Sequence, residues 1–353
     1  LKGHGTLKNN HRLIIDGESM QEVETDKFII ATGTNPADIP VARFDGVGII
    51  SNRDALFLDE RPSRVLIVGG GVIGVELANI FSQLRVDVTI VELLDHILPF
   101  TDRDVALALK THLTQQGVKI YEKTSVANIE KRSNVYVARL SNNIQIEVDK
   151  VIVAVGRTPR TSGIGLEDVG VKLDHKGFIK VDDTMKATGN IYASGDVTGG
   201  LLLAHKALLE SIIAARGVAG LGCFKLDQKA VPITIFTGLE IASVGYTEKE
   251  LESMGLNYVK YRVPVYFLSS VKIKGTRNAF AKIILDEKRE NILGIHIVAP
   301  NASEVISAYL PIYIGKLGFE DARRIPYPHL TVSESLRELA DYIVGEPLHI
   351  VKR

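Results

Sequence analysis

Apolar residues along this chain follow two rhythms. Short β-branched runs bounded by Gly, Asn or Asp read as strands at 13–15, 28–31, 64–68, 87–91, 150–155 and 190–194, with Asp16-Gly17 as a turn signal after the first. Between the third and fourth runs, Ile73, Leu77, Ile80, Phe81 and Leu84 recur at helical spacing and predict a helix with one apolar face. Thr101 is placed to cap a helix carrying Val105, Leu109 and Leu113, and Gly117 ends it. Residues 41–63 read as loop and short helix. Strictly alternating stretches at 135–140 and 144–148, joined near Asn142-Asn143, predict a β-meander inserted in a crossover. A further helix is expected over 203–219. From about 227 the pattern changes to strands at 231–236, 241–245, 259–265, 279–285 and 292–298, then helices near 302–317 and 333–343. Strands alternating with helices predict an α/β fold, followed by a separate α+β domain.

Three of these elements carry candidate chemistry. The run at 64–68 ends in Gly69-Gly70-Gly71-Val72-Ile73-Gly74, and the run at 87–91 ends on Glu92. Gly69, Gly71 and Gly74 form the dinucleotide fingerprint: a tight turn, a close backbone approach to pyrophosphate, and close helix–strand packing. The pyrophosphate would sit on the N-terminus of the following helix, where free N–H groups favour negative charge. Glu92 lies about 20 residues beyond the glycines, where an acid bonds the ribose hydroxyls of NAD and repels a 2′-phosphate. A glycine-rich turn without a ligand would show the same glycines, but not the ordered strand, helix, strand and terminal acid.

Composition narrows the class. The 353 residues are 45% hydrophobic, enough for a large core divided among two or three domains. Lys+Arg and Asp+Glu both number 42, so no charge excess points to nucleic acid or an anionic membrane. No apolar run has the length of a membrane span, and a cytoplasmic location is expected. Cys223 is the single cysteine; it is expected to pack as a small apolar residue without a redox role. The histidines show no metal-ligand spacing, and no metal is expected.

Several motifs in one order resemble the flavin-dependent pyridine nucleotide–disulfide oxidoreductases, closest to their dihydrolipoamide dehydrogenase branch. They are Ala31-Thr32-Gly33, Gly69–Gly74 with Glu76, Ala154-Val-Gly156-Arg157-Thr-Pro159, Tyr192-Ala-Ser-Gly-Asp196, Leu203-Ala204-His-Lys-Ala207, Phe236–Gly245 and His329-Leu-Thr-Val-Ser-Glu334. The resemblance covers essentially the whole chain. It implies Rossmann-like FAD- and NAD(P)-binding domains of three-layer ββα type plus a C-terminal α+β interface or dimerisation domain. The implied division is 1–61 as a first FAD-binding segment, 62–158 as the NAD-binding domain, 159–226 as the second FAD segment and 227–353 as the interface domain. FAD and NAD are the implied cofactors. A homodimer and lipoyl-bearing proteins of a 2-oxoacid dehydrogenase complex are the implied partners.

By the same resemblance His329 and Glu334 are the catalytic pair. Gly69, Gly70, Gly71, Val72, Ile73, Gly74, Glu76, Glu92, Val126, Ala154, Gly156 and Arg157 would hold NAD, while Gly5, Thr32, Gly33, Asp196 and Ala204 would hold FAD. Simpler readings stand beside these. Thr331-Val-Ser-Glu334 also fits a helix capping box with His329 in an ordinary loop. Asp196 could cap a turn, and Glu76 is expected in the first turn of its helix, where an acid is favourable anyway.

The chain also departs from the family. Its flavin-binding glycine loop and Cys-x4-Cys pair are absent, so a segment is expected before Leu1. Leu330 stands where the family has the Pro of H-P-T. Other acceptors, as in mercuric reductases or other disulfide reductases, and a non-catalytic NAD-binding protein remain alternatives. With one cysteine, these 353 residues are expected to show no NADH-dependent lipoamide reduction by themselves, even with added FAD. Measurable turnover by the purified chain would mean a different catalytic route.

Overall fold

The computed structural model describes residues 1–315 and 318–350. Two compact units emerge: Leu1–Pro36 with Arg157–Val231, and Ala37–Gly156 with Pro232–Arg353.

In the second unit, five strands form one parallel sheet in the order Ile49–Ser51, Lys150–Val153, Arg64–Val68, Asp87–Val91, Lys119–Tyr121. Its edge strand Ile49–Ser51 comes from the stretch 37–61. Alternation along Arg64–Val68 sorts the layers. Val65 and Ile67 join a core with the helices Val72–Gln83 and Arg103–Gln115. Leu66 and Val68 join a second core with Tyr136, Ala138 and Leu140. Those residues belong to an antiparallel sheet of Val126–Arg132, Val135–Leu140 and Gln145–Val148, one strand more than the two-strand alternation suggests. The result is a helix layer, a parallel sheet and an antiparallel sheet.

Two local expectations are corrected. Helix Val72–Gln83 buries Val75, Leu77, Ala78 and Phe81, while Ile80 (41%) and Leu84 (50%) stay exposed. Small Val75 and Ala78 let the helix lie close to the sheet, and this rotates the contact face. Thr101 is not the cap of the next helix. Asp102 holds the N-cap position, and the Thr101 hydroxyl donates to the Leu98 carbonyl (2.9 Å).

The same unit ends in an antiparallel sheet ordered Ile233–Ile235, Ile241–Gly245, Ile292–Val298, Phe280–Asp286, Tyr258–Pro264. The helices Ala302–Gly315 and Glu334–Val344 contribute to one core with it. The helix expected over 302–317 can be followed to Gly315; its last two positions lie outside the described residues. Ile235, Ile241, Phe280 and Val298 of this sheet complete the core of the nucleotide module.

A buried ion cluster joins those two parts. Lys282 is fully buried, and its ammonium donates to Asp102 (2.7 Å), Asp104 (2.6 Å) and Glu248 (2.9 Å). Burial works against its charge, but Asp102 and Asp104 outweigh it and hold the pKa above the ordinary lysine value. Asp102 therefore serves Lys282 and the Glu248 N–H (2.8 Å) rather than its own helix. Buried His296, whose pKa is lowered by burial and by Lys282, bonds Ser243 (3.0 Å) and the Tyr246 carbonyl (3.2 Å) beside the cluster.

The first unit holds an antiparallel sheet of His4–Asn9, Arg12–Asp16 and Gln21–Glu24. A second sheet runs Lys186–Thr188, Ile191–Ala193, Phe28–Ile30, the last two parallel. Phe28–Ile30 is its edge, and Ile29 is 43% exposed there. Helix Ala204–Val218 buries Lys206 and Glu210 as an ion pair (2.6 Å, both 2% exposed). Cys223 is exposed rather than packed: it follows the helix in a segment without regular structure. Among the described residues no helix is long and apolar enough to cross a membrane.

Replacing Lys282 with Met would deprive Asp102, Asp104 and Glu248 of the buried cation they share. The expected loss is about 3–5 kcal/mol in urea unfolding, the usual cost of breaking a buried pair from one side. The same cluster predicts acid sensitivity. Burial alone would raise the Glu248 carboxyl, yet Lys260 and Lys282 pull it down from 4.5 to about 2. A depressed folded-state pKa contributes stability that is complete above pH 4.5 and is lost as pH falls through about 2. Denaturant midpoints measured across that window should fall steadily in the wild type and less in Glu248→Gln.

Candidate cofactor and acid–base sites

The glycine loop at the end of strand Arg64–Val68 is shaped by contact. Gly69 has φ +107°, and a Cβ there would lie 2.5 Å from the Ala154 carbonyl oxygen. A Cβ on Gly74 would lie 2.0 Å from the Gly69 carbonyl oxygen, so only glycine lets the helix start this close to the strand. Gly71, by contrast, is the N-cap of the helix and faces open space. Two glycines are thus demanded by the fold and one leaves room for a ligand backbone approach, as a pyrophosphate requires. Val72 and Ile73 are half-buried in the first helical turn behind it.

Glu92 is 7% exposed and already engaged: Oε2 accepts from the Gly70 N–H (2.6 Å) and Oε1 from the Leu94 N–H (2.8 Å). The acid at the end of the second strand therefore holds the glycine loop in place as well as standing at its rim. Val126 is buried at the start of its strand. The Ala154 N–H donates to the Val68 carbonyl (2.8 Å), and Gly156 (φ +140°) faces open space. Glu76 lies beyond the first helical turn, in which there is no acid. Its carboxylate accepts from the Phe236 N–H (2.9 Å), and burial raises its pKa. It is a tie to the C-terminal sheet rather than a partner of the helix dipole.

In the first unit, the turn Ala31-Thr32-Gly33 ends the edge strand Phe28–Ile30. Thr32 donates to the Arg160 carbonyl (2.7 Å), and Gly33 has φ +70°. Next to it, Thr34 joins two charged groups: its hydroxyl donates to Asp196 Oδ2 (2.9 Å) and accepts from Arg157 Nε (2.6 Å). Asp196 sits in the 3-10 turn Gly195–Thr198, whose N-cap is Ser194 without a side-chain cap bond. The Asp196 side chain thus turns to Thr34. The turn is anchored from below by Glu210, which accepts from the Gly195 N–H (2.9 Å) and the Thr198 hydroxyl (3.1 Å). The resemblance assigns Arg157 to NAD; in the fold its guanidinium reaches Thr34 and, at 3.9 Å, Asp196. No motif marks Thr34, although it directly follows Ala31-Thr32-Gly33. A cavity of about 640 Å³ opens beside this turn, lined by Gly5, Ile29, Thr32 and Arg160 among others. Ala204 is the exposed first residue of its helix. Asp196, Thr34 and Arg157 do not line the cavity themselves, but Asn35 and Thr158 at the adjoining positions do; polar groups next to a partly apolar cavity suit a polyol joined to an aromatic ring.

His329 is 75% exposed in its side chain, and its Nδ1 lies 3.0 Å from Glu334 Oε1. A proton on Nδ1 donated to Glu334 leaves Nε2 free to accept another from a substrate. The other Glu334 oxygen accepts from the Thr331 N–H (3.2 Å), which is half of a capping box. The remaining half is missing: the Thr331 hydroxyl donates to the Pro328 carbonyl (2.7 Å), and the N-cap position falls on Ser333. Glu334 therefore both starts the helix and orients the imidazole. Between them Leu330 has φ +66°, a conformation closed to proline.

The sequence profile described as pyridine nucleotide-disulphide oxidoreductase matches residues 2–211, and the profile of that family's dimerisation domain matches 231–340. A dihydrolipoyl dehydrogenase from Chlamydia pneumoniae is 35% identical over 351 residues, which cover 99% of this chain and 75% of the relative. One from Bacillus subtilis is 34% identical over 355 residues, covering 99% and 76%. Among solved structures, LpdA from Mycobacterium tuberculosis superposes with TM-score 0.89 at 28% identity, over 97% of this chain and 76% of that one. The HOCl-induced flavoprotein disulfide reductase RclA from Escherichia coli gives 0.87 at 29%, over 97% and 79%.

Two outcomes test these sites. Glu92→Ala should weaken NAD binding about tenfold in calorimetry, since a charged acceptor and the brace on Gly70 go together, and should narrow the gap to NADP. Unchanged NAD affinity would separate Glu92 from the nucleotide. Leu330→Pro should cost at least about 3 kcal/mol in denaturant unfolding, because proline cannot adopt the left-handed backbone. It should also abolish the His329–Glu334 bond, seen as a shifted His329 imidazole resonance.

Proposed function

The chain belongs to the pyridine nucleotide-disulphide oxidoreductase family, and we propose that within it the protein acts as a dihydrolipoyl dehydrogenase, oxidising a dihydrolipoyl group with NAD as the final acceptor. Members of the family use FAD and NAD. The observation that carries the finer reading is the exposed His329 braced by Glu334 at the head of a helix.

Flavin, when bound, relays electrons between thiols and nicotinamide. The residues of this chain handle position and protons. Gly69–Gly74 and Glu92 bind the NAD pyrophosphate and ribose, with Val126, Ala154 and Gly156 beside them. Thr32, Gly33 and Asp196 hold the flavin side, and Thr34 with Arg157 fixes the Asp196 carboxylate. Thiol–disulfide exchange proceeds through a thiolate, so a base must take the thiol proton. Nε2 of His329 receives it, and the Glu334 carboxylate steadies the imidazolium through Nδ1, as a buried acid does for the histidine of a hydrolase triad.

The four-part division goes with this assignment, except that 37–61 joins the NAD-binding part, since strand Ile49–Ser51 pairs with Lys150–Val153. The dimerisation-domain match supports a homodimer. Lipoyl-bearing proteins of a 2-oxoacid dehydrogenase complex are the proposed partners, in the cytoplasm.

His329→Ala, in the enzyme carrying the redox cysteine pair, should lower dihydrolipoamide oxidation by about 100-fold or more, the usual loss for a general base. NAD and FAD affinity should be nearly unchanged. Near-normal turnover would leave Glu334 as a helix-starting residue alone and remove the ground for this reading.

A further inference from the structure

A second cavity, of about 330 Å³, lies in the C-terminal part of the second unit, and its wall is the segment Leu330–Ser333 that separates His329 from Glu334. Ser270 lines it; the residue is 7% exposed and its hydroxyl is buried with no hydrogen-bond partner among the described residues. Lys274 stands at the rim, and its ammonium donates to the neutral amide of Asn301 rather than to a carboxylate. Ile273, Val305, Leu330 and Val332 give the lining an aliphatic side, with Val305 and Val332 buried and Leu330 half exposed, while Asn301, Thr331 and Ser333 complete it with polar groups.

Each of these features asks for part of one ligand. An unpaired buried hydroxyl is unfavourable and is relieved by an oxygen that accepts its proton. Among the described residues the exposed Lys274 ammonium meets the Asn301 amide and no carboxylate, so it is open to an anion at the cavity rim. The aliphatic wall adds affinity for a hydrocarbon tail. The volume is near the lower end of small-ligand pockets, about 300 Å³, which admits a chain of a few carbons and excludes a nucleotide.

We propose that this cavity is a binding site for a short aliphatic carboxylate, held by Lys274 and Ser270 at its charged end and by Val305, Leu330 and Val332 along its tail. Occupancy braces Leu330–Ser333 and thereby the loop presenting His329, so the ligand regulates the proton-transfer group without touching it. The regulatory consequence rests on the acid–base role proposed for His329; the binding does not.

Calorimetry on the purified chain, with hexanoate, 1-hexanol and inorganic phosphate as probes, tests the binding without turnover. Hexanoate should bind with a Kd of about 1 mM, the scale set by its few heavy atoms, and both other probes should bind at least about fivefold more weakly. K274Q lies at an exposed position and should fold normally; it should weaken hexanoate about fivefold and leave 1-hexanol unchanged. S270A should weaken hexanoate severalfold. Saturating hexanoate should also shift the His329 imidazole resonance. Hexanoate binding no tighter than 1-hexanol, or unaltered by K274Q, overturns the site. Phosphate binding as tightly as hexanoate overturns the aliphatic assignment. Binding as expected with a stationary His329 resonance overturns the regulatory link. None of these outcomes depends on dihydrolipoyl turnover.

Discussion

The nucleotide module depends on one close approach. The helix Val72–Gln83 begins so near the end of strand Arg64–Val68 that a single methyl group at Gly74 would overlap the Gly69 carbonyl. The open face at Gly71 follows from that approach, because the loop has no room to fold inward. The brace from Glu92 to Gly70 follows as well: a loop of three successive glycines is entropically costly to order, and a buried carboxylate bonded directly to the Gly70 N–H holds it in one shape. The Gly69 turn also lies against the Ala154 carbonyl just past the strand Lys150–Val153, so the ends of both strands are set by the same few atoms.

Much of this architecture was legible in the sequence. The parallel strands are uninterrupted β-branched runs because both of their faces are covered, and such runs stand out against turn residues. The strand Val126–Arg132 does not: it reads Val-Ala-Asn-Ile-Glu-Lys-Arg, and its exposed face is as polar as a loop. Ile80 and Leu84 are the opposite case: apolar at helical spacing yet exposed. Spacing alone cannot tell whether an apolar helix position meets the core or solvent, and here the small residues Val75 and Ala78 set the contact.

The sites were legible only where a motif is local. The glycine loop, Glu92 and the His329–Glu334 pair each lie within one short stretch or at a fixed distance from it. Thr34 links Arg157 to Asp196 across more than 120 positions of sequence, and no periodicity records such a meeting. Lys282 is the extreme case. It sits in a strand that reads Phe-Ala-Lys-Ile-Ile-Leu-Asp, where a lysine is ordinarily taken as the solvent-facing residue, yet its partners arrive from Asp102, Asp104 and Glu248.

That placement has a practical side. A protease specific for basic residues finds most of its targets on an intact surface, but the bond after Lys282 lies within the sheet and its side chain is fully buried. Cleavage there needs the strand to leave the sheet and the ammonium to leave its three acids. The appearance of a fragment ending at Lys282 therefore times the opening of this sheet, separately from nicking of exposed loops, and gives an intrinsic clock that needs no added label.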